Sequence, residues 1–496
     1  QPDGFDFYSA HLFLRDLGRV KAVALGDYQA QFGQGLTYWN GLAFSGKSSF
    51  AMNIRRGAPG LVPYASVNEN QFLRGGGLTV EAMKNLDVTA FFSLHQLDGN
   101  VVAGDTTDSG TVETTFSSLQ LDGLHQTNSD LDDKHSIEEQ VIGGHVRYHT
   151  NKIAVGFTGV NVSYDHPLKK STSNYNQFEF NGDALTKYGV DWSVDHRNLT
   201  WFGEVSNTDH GGNAPAWLTG MLVALDERVS FSALYRDYPR DFAYLYSVAF
   251  GEGSNAVNER GLYAGVEVKA SRRWTIDAYF DQYSFPWLRY QTDAPSSGFD
   301  VLGQITWTPT KTIELYVRAR HRMNQKNSAT PPDGIDPLVA VEQDNYRVNA
   351  NYKVSRSVSL RSRVEVVNYQ RGDGALQHGI MIYQDVVHRP LRSPVEMTLR
   401  VALFQTDSYD ARVYAYESDL QGLYSIPPYY GRGMRWYLMA RLTPLRRVDV
   451  WLRYGAWLWN GQDRYSSSLT EINGTGEPQT GRVIRDDVKV MVRWRF

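Results

Sequence analysis

Val488, Val490, Val492, Trp494 and Phe496 alternate with Lys489, Met491, Arg493 and Arg495 up to the last residue of the sequence. Side chains along a strand alternate between two faces, so this run carries one wholly apolar face and one mostly cationic face. Such a strand suits a sheet with hydrocarbon on one side and water on the other. An edge strand of a soluble sheet would read the same way, so the remaining sequence has to decide.

A soluble chain of 496 residues usually divides into several domains, yet no Pro-rich or Ser-rich linker and no shift of composition marks a boundary. One architecture over residues 1–496 is expected. Apolar residues make up 42% of the chain, but no run approaches the roughly 20 that a membrane helix requires. Strands that alternate lipid-facing with water-facing residues keep mean hydropathy low, so its negative value is no argument against a membrane protein. The 30 Tyr, 22 Phe and 12 Trp are enough to stock two interfacial girdles. Without Cys, disulfides and thiolate chemistry are excluded. A net charge of −4 with interspersed signs gives no basic footprint for nucleic acid. No signal peptide opens the sequence, as expected of a mature or later fragment of an envelope protein.

Taken in order, residues 5–14 and 20–32 predict a first hairpin around the turn at residues 15–18. Residues 33–70 then lose all period. They are rich in Gly and aromatics, too apolar for a solvated loop, and are expected to fold against a wall or into a lumen. Strand pairs follow at 71–82 with 86–96, 141–149 with 153–164, 185–194 with 199–206 and 215–225 with 229–238. Between the first two pairs lies a long acidic, turn-rich loop, residues 97–137. The later half repeats the pattern around the turn at Ser271, at 299–308 with 312–322, 346–354 with 358–369, 377–388 with 395–404, and at 434–442, 448–459 and 483–496. Short turns alternate with longer loops, as periplasmic turns and extracellular loops do in an outer-membrane barrel.

The expected fold class is therefore all-β: a large antiparallel transmembrane β-barrel of about 20–24 strands. The pairs above give about 21 strands, an odd number where bacterial barrels have an even one. Either a strand is hidden near 176–180 or 413–418, or an upstream part precedes residue 1, and the second is favoured. A propeller would show a repeat of roughly 40–50 residues, and none is found.

If Leu315, Val317 and Ala319 face lipid, then Glu314, Tyr316, Arg318 and Arg320 face inward. Arg361, Arg363 and Glu365 follow on the next hairpin, then Glu396 with Arg400 and Asp449 with Arg453. This arginine-rich lining either attracts anions or pairs with its interleaved carboxylates across strands. The interleaving favours pairing. His95, His125, His135, His145 and His149 gather near the acidic loop, but no motif ties them to a nucleophile or a metal. No enzyme activity, metal or cofactor is expected.

The stretch from Gly26 to Gly75 has a pattern of its own. Gly26-Asp27-Tyr28, Gly33-Gln34-Gly35-Leu36-Thr37 with Trp39, Ile54-Arg55-Arg56, Pro63-Tyr64, Asn68-Glu69-Asn70 and Phe72-Leu73-Arg74-Gly75 resemble a family of Bacteroidota outer-membrane proteins described as competence-related helix-hairpin-helix proteins. The resemblance is strong over about 50 residues and general elsewhere. It implies a barrel and a preceding helix-hairpin-helix region, which this sequence does not contain; nucleic acid binding would belong to that region rather than to this portion. Gly33, Gly35, Trp39, Arg55, Arg56, Tyr64, Asn68 and Arg74 are then the residues of a plug or docking segment. The final strand likewise resembles the closing strand of such barrels, with Trp494 and Phe496 in the signal read by the barrel insertion machinery. The expected role is a porin-like channel for polar solutes with a partly occluded, Arg-lined lumen. The alternatives are a non-conducting subunit of a larger envelope or secretion assembly, and a barrel related to DNA uptake. Expected partners are outer-membrane lipid, the insertion machinery, and other outer-membrane proteins or lipoproteins of a Gram-negative bacterium.

Overall fold

A computed structural model describes residues 7–43, 46–66, 68–106, 112–120, 128–212, 214–329, 336–460 and 482–495. The chain is all-β, and 24 strands belong to one sheet. Among the described residues no helix is long and apolar enough to cross a membrane. The chain divides into two compact units, Gln1–Val266 with Asp281–Ser297, and Glu267–Phe280 with Gly298–Phe496.

In the first unit the strands His11–Leu17, Val20–Gln31, Leu73–Met83, Leu86–Leu97, Ile137–His149, Ile153–Leu168, Gly182–His196, Leu199–Thr208, Ala216–Ala224 and Val229–Tyr238 each pair antiparallel with the next. In the second the same holds for Ser296–Thr310, Ile313–Asn327, Leu338–Lys353, Val358–Arg371, Gln377–His388, Val395–Thr406, Arg432–Leu445, Val448–Asn460 and Arg482–Trp494. Tight turns join Leu17 to Val20, Met83 to Leu86 and Thr310 to Ile313, while the intervening connections are mostly long. Asn85 takes positive φ, 67°, at the second of these turns, and Arg197 takes 54° at the turn between His196 and Leu199.

Polarity is inverted relative to a soluble sheet. On Gln377–His388, Ile380 and Ile382 are about half exposed, at 48% and 49%, whereas Asp385 between lipid-type positions is 1% exposed. Val488, Val490, Val492 and Trp494 are all exposed on the last strand. A row of exposed Ile, Leu, Val and aromatic side chains backed by buried Arg, Asp and Glu is costly in water and favourable in hydrocarbon. This is the fold class of a large antiparallel transmembrane β-barrel.

Several details depart from the local pattern. Leu17 belongs to the first strand, which begins at His11, so the turn sits at Gly18 and Arg19. Residues 97–137 hold two strands, Gly99–Thr106 and Val112–Leu119, and a helical turn at Asn128–Asp132. Within residues 33–70 a short strand, Gly60–Pro63, pairs with Val20–Gln31 where His11–Leu17 leaves off. Residues 176–180 form turns rather than a strand. Val413–Tyr414 does form one, but it pairs only with Pro428–Tyr429 in a separate two-stranded sheet, because its partners are side chains of the wall.

Candidate functional site: two segments held on the polar face

In the first unit, residues 33–43 and 46–59 lie on the polar face of the sheet. Glu204, on Leu199–Thr208, is almost fully buried and accepts the backbone N–H groups of Gln34, Leu36 and Thr37 at 2.5, 3.0 and 2.7 Å. A carboxylate accepting three amides makes an anion cradle in reverse, with the loop as donor. Gly33 takes φ +57°, and a Cβ there would lie 2.6 Å from the Glu204 carboxylate. Gly35 takes φ +80° beside Arg56. These two positions therefore require glycine.

Further anchors come from opposite strands. Ser232 and Tyr263 hydroxyls both donate to Ala51 O, at 2.7 and 3.1 Å. Lys47 pairs with Glu252 and, at 3.0 Å, with Asp281. Asp281 also holds Arg236 at 2.7 Å, and Arg236 reaches Glu259 at 2.5 Å, all three side chains being fully buried. The connection 239–258 folds inward as well. Trp39 N–H donates to Tyr246 O and Val248 N–H to Gly35 O, at 2.9 and 2.8 Å, while Lys187 donates to Leu245 O at 2.7 Å. Arg56 donates to Val248 O and lies over the Trp39 ring at 5.2 Å. Burial pulls the Arg56 guanidinium below its ordinary pKa, against the opposing pull of Tyr238 and Glu204. Tyr64 donates to Asn68 O and packs on Phe72, and burial pushes its phenol up to about 12. Arg74 lies on a strand, exposed, and pairs with buried Asp27 at 2.8 Å.

Arg55 is exposed and lines a cavity of ≈ 640 Å³ together with Arg147, Asp87, His145 and Asp191. A Cβ at Gly156 would lie 2.3 Å from Asp191 Oδ2 and 2.6 Å from His145 Cε1, so glycine there admits both side chains. His145 stacks on Phe32 and its Nδ1 bonds Thr158 Oγ1; His149 pairs with Asp87, and His95 packs on Phe72. His125 lies outside the described residues, and among them no group of three or more metal-ligating side chains converges.

The second unit has its own inserted segment, residues 407–431. Ala411, Val413, Ala415 and Tyr429 are buried, and Val413, Ala415 and Tyr429 pack with Phe404, Trp457 and Trp459. Glu417 is its anchor: Arg435 reaches it at 3.1 Å, Tyr429 hydroxyl donates at 2.8 Å, and Arg453 closes the cluster. Asp487 receives both arginines, at 2.9 and 2.8 Å, and Lys489 holds Asp419 at 2.6 Å. Arg400 pairs with Asp385 at 2.6 Å and donates to Tyr416 O at 2.6 Å. Burial would raise the Glu417 pKa, but hydrogen bonds and charge from Arg435, with Arg453, hold it below the ordinary carboxylate value. A depressed folded-state pKa stabilises above the unfolded value of about 4.3 and is lost as pH falls through the folded one. Acidification from pH 5 into that lower range is therefore expected to release residues 411–420, read as new proteolytic cleavage there, and Glu417→Gln is expected to release them already at neutral pH.

The remaining residues expected to face inward are mostly paired. Arg320 meets Asp300 at 2.5 Å, Glu396 meets Arg441 at 3.1 Å, and Asp449 gathers Arg441, Arg493 and Arg495 at 3.1, 2.6 and 3.0 Å. Arg318 donates to Gln304, Glu314 accepts from Asn351, and Glu365 takes both ends of Arg347. Tyr316, Arg361 and Arg363 line a cavity of ≈ 760 Å³. Trp494 ends the last strand opposite Val448, exposed; Phe496 lies outside the described residues. Sequence reasoning missed the inward folding of 239–258 and 407–431, although both carry the aromatic, non-periodic composition that marked 33–70.

No protein-family model and no curated protein matches this chain. Among solved structures it is similar to the FrpB iron transporter from Neisseria meningitidis, with 11% identity over 98% of this chain and 78% of that one and a TM-score of 0.44. It is also similar to the ferric yersiniabactin uptake receptor FyuA from Yersinia pestis, with 9% identity over 97% and 78% and a TM-score of 0.41. A third is the outer membrane channel DcaP of Acinetobacter baumannii, with 12% identity over 70% and 96% and a TM-score of 0.32. Likenesses this distant say nothing of substrate or partner; the structural neighbours are outer-membrane β-barrel proteins.

Proposed function

We propose that the protein is an outer-membrane barrel of a Gram-negative bacterium whose polar face is occupied by its own segments, and that it serves as a non-conducting, membrane-embedded subunit of an envelope assembly. The observation that carries this reading is the anchoring of residues 33–37 by buried Glu204. A segment held by three charge-assisted hydrogen bonds does not leave on thermal fluctuation. Its partners on this reading are outer-membrane lipid, the insertion machinery, and other outer-membrane proteins or lipoproteins; the chain itself carries out no chemistry.

Planar-bilayer recording tests it. The intact chain is expected to be silent, and a variant lacking residues 35–66 to conduct. Conductance by the intact chain would overturn the reading in favour of an open channel for polar solutes. The resemblance carried by Gly26 to Gly75 implies a link to DNA uptake; unchanged transformation after deletion of the gene would remove that role.

A further inference from the structure

On the polar face of the second unit, cations outnumber the carboxylates available to them. Arg318 and Arg347 stand directly opposite each other on adjacent strands, an arrangement of like charges that destabilises a sheet unless something offsets it. Arg363 stands two positions along, opposite Asn349 and Tyr383. One carboxylate, Glu365, serves this group. It is engaged by Arg347 through two bonds of 2.8 Å and lies 3.7 Å from Arg363. Arg361 is opposite Asp385, but Arg400 takes both oxygens of that carboxylate, at 2.6 and 2.8 Å. Arg363 is 13% exposed at its side chain, and its Nε is buried with no hydrogen-bond partner. Arg361 and Arg363 line the ≈ 760 Å³ cavity beside the rings of Tyr316 and Tyr383, with Arg272, Lys353 and Arg400 and the carboxylates Glu314 and Asp385 also in its lining.

We propose that this cavity binds a small, multiply charged oxyanion of the phosphate-ester class, gripped by the guanidinium groups of Arg361 and Arg363. A guanidinium presents paired donors that match phosphate oxygens, and two of them suit a tetrahedral dianion better than a monocarboxylate. The anion supplies negative charge to Arg361, whose facing carboxylate is taken by Arg400, and to Arg363, whose nearest carboxylate is taken by Arg347, and the tyrosine rings offer apolar surface to an organic substituent. Binding here is independent of whether the barrel conducts.

The test is calorimetric titration of the full chain in detergent micelles with pyrophosphate, at fixed ionic strength. Saturable binding is expected, displaced by inorganic phosphate but not by acetate. Arg361→Gln with Arg363→Gln should weaken it at least about tenfold, the loss of one charge-assisted contact or more. Arg260→Gln, which removes an exposed cation in the other unit, should leave it unchanged. Arg361→Gln alone breaks no ion pair and reads the site even where the double variant does not fold. Equal binding of acetate, equal weakening by Arg260→Gln, no effect of Arg361→Gln, or a copurified phospholipid that pyrophosphate does not displace would each overturn the proposal.

Discussion

Glu204→Ala is expected to free residues 33–40 from the wall and to lower stability by on the order of 4 kcal/mol, since each buried N–H left without an acceptor costs about 1–3 kcal/mol. Three amides lose their acceptor at once, and the carboxylate that served them is almost fully buried. Glu204→Gln keeps one acceptor oxygen and introduces donors that face the same amides, so it should be only slightly milder. The measurement is hydrogen exchange at Gln34, Leu36 and Thr37 beside denaturant unfolding in detergent. Retained protection at all three amides would show that the segment is held by something else.

Arg236→Met should be comparably severe. The guanidinium sits between Glu259 and Asp281, and all three side chains are fully buried, so its removal leaves two buried carboxylates without the cation that joins them. Breaking a buried pair by removing one partner costs about 3–5 kcal/mol, whereas replacing the charges together is far gentler. The double variant Arg236→Met with Asp281→Asn is therefore expected to recover part of the loss. Unfolding midpoints of the three proteins check this. No recovery in the double variant would mean that Arg236 acts through shape rather than charge.

The strands were legible because alternation is a local signal: Gln377–His388 and Leu86–Leu97 declare both faces within a dozen positions. Residues 33–70 were legible for the opposite reason, an apolar composition without period. What local pattern does not carry is the partner. Nothing around Val413 says that it packs on Trp457, or that Glu417 meets Arg435 and Arg453, so a short extended run there reads as another wall strand. The paired state of Arg400 and Arg453 was foreshadowed by interleaved carboxylates, yet of the two acceptors of Arg453 only Asp487 comes from the neighbouring strand, and Glu417 comes from the inserted segment.

The cradle at Glu204 also sets an order of events. Its acceptor lies 170 residues after Gln34 in the chain, and Ser232 and Tyr263 lie 181 and 212 residues after Ala51, which they hold. Contacts of such long range form late, after the loop-closing entropy has been met. Until then Leu36, Tyr38 and Trp39, all buried in the folded chain, have nothing to cover them. In a newly made chain this stretch is therefore expected to stay uncovered until the wall strands that carry the anchors are in register.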